Sequence, residues 1–439
     1  MSSAALPLPT GAREPVRRAL PQIGGPAIAP PLALPAAHFV SGWTWLLVAA
    51  VAWPKAASRL VAGDYFGPDV LAMTHMLALG VLGSAVIGAE LQFVPGALGV
   101  PLRSVRVAWG ALASYESGVI ALVIGLQSGI AVLPAVGWVG LLLGLAASAW
   151  NILRVARRSV HGRQIGRFLV AAYVAMAGVL LLAGWRIGAR AGWWPAPHLP
   201  LVAAHAMLGL AGFGTFTAFG VGSRMIPAFL GASGDDSRTL TWLQRSLAVG
   251  IAAWAAGATW RIGPLRTGGA MLLLAAGGIG VSLLARWLRR RWRPLDATGW
   301  HIATAATALA LALGIGAAAT VGTTSAIRAF TLLVIVLLPG WLLTLTLGVQ
   351  VKILSHLAHP WFVRGRAADA PPLTPRDLAP HAPLVASVVA MTLGWGALAV
   401  AVATGHRVAL EAAAWAWPCG ALLHLSVPIR ALIRGRPRA

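Results

Sequence analysis

Cysteine is nearly absent from this chain. The single Cys419 permits no intrachain disulfide, no Cys-x-x-Cys motif and no cysteine-ligated cluster. Charge is scarce too: Asp, Glu, Lys and Arg make up 10% of the 439 residues, where a soluble domain carries about 25%. Lysine occurs only at Lys55 and Lys352, a skew toward arginine that GC-rich bacterial coding produces. There is no glycine-rich phosphate loop, no Gly-x-Ser-x-Gly, no His-Glu-x-x-His and no carboxylate pair in a soluble segment. These absences exclude soluble hydrolases, kinases and nucleic-acid-binding proteins.

What the chain has instead is apolar length. Hydrophobic residues make up 58% of it, with mean hydropathy +0.78. A bilayer core takes roughly 20 apolar residues per helix. Runs of that kind fall at 39–56, 70–97, 105–127, 129–152, 166–187, 199–229, 239–261, 267–288, 299–320, 325–352, 381–404 and 408–430. The sequence thus predicts an all-α membrane protein of about twelve transmembrane helices. Residues 1–38, rich in Pro and Ala and carrying Arg13, Arg17 and Arg18, read as a cytoplasmic tail, and 39–439 as one polytopic membrane domain.

The net charge of +23 sits mostly in arginines between apolar runs. There it sets topology and meets lipid headgroups rather than nucleic acid. Basic clusters occur at Arg154–Arg167, Arg286–Arg293, Lys352–Arg376 and Arg430–Arg438, while the alternate loops are nearly uncharged. Lys55, Arg59, Arg186, Arg190, Arg261 and Arg266 are exceptions. The alternation predicts a bacterial inner-membrane protein with both termini in the cytoplasm.

Two histidines stand out in this apolar background. His75 and His205 each open a glycine-studded run that ends in a proline, Pro95 and Pro227, and the two runs are spaced 130 residues apart. Imidazole inside a bilayer is costly without a partner, so each marks a candidate functional site. Both fall five or six residues into helices that run inward, roughly 8–9 Å below the outer surface at 1.5 Å per residue. A matched pair of imidazoles suits axial ligation of heme, or binding of another metal such as copper. The glycines (Gly80, Gly83 and Gly88; Gly209, Gly212, Gly214, Gly220 and Gly222) serve either close helix packing or room for a flat macrocycle.

Other polar residues lie within the spans. An ionised Glu90 or Glu116 would cost about 2.5–3.5 kcal/mol at mid-bilayer. Glu90, Gln92 and Glu116 suit a proton relay or a quinone headgroup site; alternatively, Glu90 pairs with Arg224 at the corresponding level of the sixth helix. Arg328 is placed either to neutralise a heme propionate or to reach the interface. His161, His356, His359 and His381 fall in or beside loops. His38, His301, His198 and His406 fall at helix ends, and His424 toward the end of the last helix. Most of these read as surface or interfacial. Tryptophans near helix ends, such as Trp193 and Trp194, read as interfacial anchors.

At Thr74-His75 through Gln92-Phe93-Val94-Pro95, at His205 through Pro227-Ala-Phe229, and at Lys352-Ile-Leu354 with Trp361, the chain resembles small bacterial members of the heme-copper oxidase subunit I superfamily. The resemblance implies a twelve-helix bundle, with His75 at the position of a low-spin heme ligand and His205 at that of a copper ligand. The chain departs from the pattern elsewhere. Residues 239–261 lack the expected His-His pair and 325–352 lack the histidines of the tenth helix, so at most two of six ligands remain. The implied function is a heme- or metal-binding protein with a redox, electron-transfer or nitric-oxide-related role. It would work with a respiratory or cytochrome partner and lack a complete binuclear oxygen-reducing centre. A looser likeness links it to the membrane family of the nitric oxide response, thought to bind heme and copper. The alternatives are a twelve-helix transporter and a non-catalytic assembly subunit.

Overall fold

The twelve apolar runs become twelve helices in the computed structural model, which describes residues 28–158, 162–196, 199–232, 236–322, 325–364, 374–375 and 377–434. They are α1 (Ala33–Val61), α2 (Pro68–His75, Met76–Gly83 and Ser84–Leu98 end to end), α3 (Val105–Ser128), α4 (Val132–Arg158), α5 (Arg163–Arg190) and α6 (Leu199–Met207, Leu208–Gly214 and Thr215–Leu230). Then follow α7 (Ser237–Thr259), α8 (Gly263–Arg289), α9 (Ala297–Thr320), α10 (Ala326–Ile335, Val336–Leu343 and Thr344–Arg364), α11 (His381–Thr404) and α12 (Arg407–Arg434). Eleven are long and apolar enough to cross a membrane. The exception, α7, carries Arg238 and Arg245 in its first half. Val51, Leu181 and Leu393 are exposed within their helices, as lipid contact requires.

The largest departures from the expected boundaries are at α10 and α1: α10 runs on to Arg364, past the expected 352, and carries His356 and His359 within the helix. α1 starts at Ala33, so the proposed tail gives up residues 33–38 to the helix. Pro35 lies in its first turn, where a missing N–H costs nothing, and Leu34 and His38 are buried by the neighbouring helices. Residues 1–27, with Arg13, Arg17 and Arg18, lie outside the described residues.

α2, α6 and α10 are interrupted by a π-helical stretch, starting at Met76, Leu208 and Val336. A π turn frees carbonyls from the i→i−4 ladder, and hydroxyls take them up. Tyr115 Oη donates to the Leu79 carbonyl, Thr215 Oγ1 to Leu210 and Thr344 Oγ1 to Pro339, each at 2.8 Å. Pro339 also lacks the N–H that an α-helical ladder would use.

These stretches reveal a threefold repeat of four helices, α1–α4, α5–α8 and α9–α12. The fourth residue after each π start is glycine (Gly80, Gly212, Gly340), and so is the twelfth (Gly88, Gly220, Gly348). The second set makes the same contact three times. A Cβ on Gly88, Gly220 or Gly348 would lie 2.8, 2.6 or 2.3 Å from the Cβ of His38 on α1, Phe168 on α5 or His301 on α9. The last two helices of each unit pair through glycine as well. A Cβ on Gly118 (α3) would lie 2.6 Å from Leu141 N (α4), on Gly257 (α7) 2.3 Å from Arg266 N (α8), and on Gly394 (α11) 2.5 Å from Trp417 N (α12).

Because those atoms are backbone, the neighbour cannot rotate away. Gly257→Leu is therefore expected to destabilise the fold by at least about 1–3 kcal/mol, the usual cost of overpacking. Gly314→Ala, where a Cβ meets nothing within 4 Å, should be neutral or mildly stabilising. Thermal unfolding in detergent compares the two, and equal melting temperatures would remove the close-approach argument.

The central helices α2, α6 and α10 touch one another and leave three gaps between them. The first, between α2 and α6, is backed by α3, α4 and α5 and holds a cavity of about 280 Å³ that also extends to α1, α10 and α11, at Trp53, Ile335 and Leu398. The second, between α6 and α10, is backed by α7, α8 and α9 and holds one of about 370 Å³. In the third, Trp53 of α1 stacks on Trp417 of α12, with ring centres 4.3 Å apart, and Trp395 of α11 abuts Gly340.

Candidate functional site

His75 and His205 both line the first cavity. Their ring centres are 6.4 Å apart and their planes differ by 39°. Each ring is oriented by a backbone carbonyl: His75 Nδ1 donates to Leu71 O at 2.7 Å, and His205 Nδ1 to Val179 O at 3.1 Å. A carbonyl only accepts, so Nδ1 carries the proton in both rings and Nε2 keeps a free lone pair. This is the arrangement in which a histidine binds a metal, its other nitrogen held by a backbone oxygen.

The two histidines are not copies of one position. His75 is the residue before its π start, where α6 has Met207 and α10 has Ile335; His205 is the third before, where α2 has Met73 and α10 has Leu333. Copies would face two different gaps, as Met207 does by lining the second cavity. The two-residue offset, a turn of roughly 200° around the helix, brings both imidazoles to the same gap. The second cavity has Met207 and Leu333 at the corresponding places and no imidazole.

Two arginines complete the first cavity. Arg186 and Arg190, near the end of α5, line it beside the histidines. In the sequence they stand out only as exceptions to the charge alternation. Arg328 is exposed and lines neither cavity, so the cationic groups near the site come from α5 and not from α10. Among the glycines of the two runs, Gly209 opens onto the cavity, with Val179 as the nearest neighbour at 3.9 Å. The others serve packing: Gly80 meets Trp45, Gly83 meets Tyr115, Gly212 meets Ala175 and Gly214 meets Leu342.

Glu90 lies deeper and is fully buried. Tyr173 Oη donates to its Oε2 at 2.7 Å. The expected pairing with Arg224 is not made, because Arg224 is exposed on the opposite side of α6 from the packed core. Glu90, Thr217 of α6 and Gln350 of α10 line a third cavity of about 70 Å³. Glu90 Oε1, Thr217 Oγ1 and Gln350 Nε2 have no hydrogen-bond partner among the described residues, so the cavity offers three polar partners to water. Leu82 lines both this cavity and the histidine cavity. Gln92 is buried but lies off this cavity. Glu116 accepts from Trp45 Nε1 at 3.0 Å and from Ser84 Oγ at 2.7 Å, which ties α3 to α1 and α2 and gives it a structural role.

Three histidines depart from expectation. His38, His301 and His424 are 1%, 1% and 0% exposed rather than interfacial. His38 packs against Gly88 of α2, and His301 and His424 meet between α9 and α12. His381 and His406 are exposed as predicted, and His161 and His198 lie outside the described residues.

The chain matches no protein-family model and no curated protein.

Proposed function

We propose that the chain is a heme-binding membrane protein that transfers electrons, with His75 and His205 as the two axial ligands. The observation that carries this reading is a pair of oriented imidazoles 6.4 Å apart across one cavity. Two metal–nitrogen bonds of about 2.0–2.1 Å, with roughly 1 Å more from each nitrogen to its ring centre, span that separation. The donor set points the same way. A bare zinc or copper site draws three or four protein ligands, and among the described residues no group of three His, Cys, Asp or Glu forms. Heme brings four equatorial nitrogens of its own and needs only the axial pair. The cavity, about 280 Å³, lies below the roughly 300 Å³ at which small-molecule pockets begin, so heme would enter by displacing apolar side chains of its wall.

Heme supplies one-electron chemistry. The chain would do the rest: Leu71 and Val179 would hold the imidazoles in the ligating tautomer, Arg186 and Arg190 would meet the carboxylates of the group, and the apolar wall would exclude water. With both histidines bound to it, the site would favour electron transfer over oxygen chemistry. The oxidase-like sequence motifs agree with a scaffold that keeps one cofactor. Arginine-rich loops support placement in a bacterial inner membrane with cytoplasmic termini, and a respiratory or cytochrome redox partner follows from the activity. Reduced-minus-oxidised absorption spectra of the purified protein test the reading: a Soret band with sharp low-spin bands supports it, and their absence ends it.

Glu90 gives the site a second property. One leucine layer from the histidine cavity, it would take up a proton when an electron arrives. The midpoint potential should then fall with pH by up to about 59 mV per unit, the one-electron limit. Glu90→Gln should keep the heme and flatten that slope; an unchanged slope would remove Glu90 from the coupling.

A further inference from the structure

A second histidine pair lies in the other half of the bundle. His301, near the start of α9, and His424, on α12, are 1% and 0% exposed. Their ring centres are 6.1 Å apart at 67°. His301 Nδ1 donates to Ala297 O at 2.8 Å, so its Nε2 carries the lone pair. That Nε2 and both nitrogens of His424 have no hydrogen-bond partner among the described residues. The rings thus make no direct N–H···N bond, yet one atom between them would bridge both. Gly348 of α10 lets His301 pack closely, since a Cβ there would lie 2.3 Å from His301 Cβ.

The chemistry of that bridging atom is constrained by what surrounds it. Unsatisfied buried nitrogens are costly. Two metal–nitrogen bonds of about 2.0 Å reach across rings set this far apart. Imidazole suits copper, zinc, iron and nickel, but zinc takes four ligands in closed sites, and no third His, Cys, Asp or Glu joins this pair among the described residues. A closed-shell monovalent copper ion is satisfied by two nitrogens in a near-linear arrangement. We propose that His301 and His424 hold one monovalent copper ion. The site shares no residue with the His75–His205 cavity and does not depend on heme being bound there.

The test uses the full chain in detergent, stripped of metal and titrated with monovalent copper under a reductant against a copper chelator. One copper per chain should resist the chelator, and X-ray absorption should show two nitrogen neighbours. His424→Leu should lose at least nine-tenths of that copper. His424→Met should retain it, with a sulfur replacing one nitrogen in the absorption spectrum, since thioethers favour monovalent copper. The double variant His75→Ala/His205→Ala should bind as the parent does. No copper held against the chelator, full retention by His424→Leu, or two nitrogens persisting in His424→Met would each overturn the proposal. A heme-free protein that still binds this copper would sink the reading of the His75–His205 site and leave this one standing.

Discussion

Replacing His75 and His205 together with alanine is expected to strip the protein of heme, to less than about one-tenth of the parent's content. Loss of a group that merely orients a ligand typically costs 10–100-fold in affinity, and here the ligands themselves are removed. The single variants should differ from the double. Either one leaves an open axial position, so residual heme should bind carbon monoxide, which the parent, with both positions filled, should not. His75→Met separates ligand loss from misfolding: a thioether is still an axial donor, and methionine–histidine ligation raises the potential. The expected result is a folded, heme-loaded chain with a more positive midpoint. Heme retained by the double variant, or carbon monoxide binding by the parent, would place the cofactor elsewhere or open its coordination.

The helices were legible because bilayer thickness imposes length on each apolar run, and all twelve appear where the runs predict. The histidine pair was legible because an imidazole in such a run has no cheap explanation. Three features left no local trace. The π stretches have no composition of their own; they show up only once the Gly80, Gly212 and Gly340 register is set beside the backbone. The burial of His301 and His424 comes from packing between α9 and α12, and a sequence read one helix at a time sees only their distance from the loop. Arg186 and Arg190 stand in the sequence as exceptions to the charge alternation, and only the cavity shows that they line the same space as the histidines. The Glu90–Arg224 pairing failed for a related reason. Equal depth on two helices says nothing about facing: Glu90 turns toward Tyr173 and Arg224 outward.

The threefold repeat allows a gain of function to be predicted as well as a loss. Met207 and Leu333 occupy in the second gap the places that His75 and His205 occupy in the first, by the same count from the π starts, and both line the second cavity. That cavity, about 370 Å³, is larger than the histidine cavity of about 280 Å³. The residue four before Met207 is Ala203, which also lines it. Its carbonyl stands where Leu71 O stands for His75, ready to orient an imidazole on the next turn of the helix. The paired substitution Met207→His with Leu333→His is therefore expected to raise the heme content from one to two per chain, with two low-spin components in a redox titration. Either substitution alone should add well under one further heme, and what it adds should bind carbon monoxide, because a single imidazole leaves an axial position open. A stoichiometry that stays at one in a folded double variant would mean that the repeat sets the shape of the gap and not the geometry of ligation. The carbonyl of Val179, which His205 alone uses, would then be the feature that confines the cofactor to the first gap.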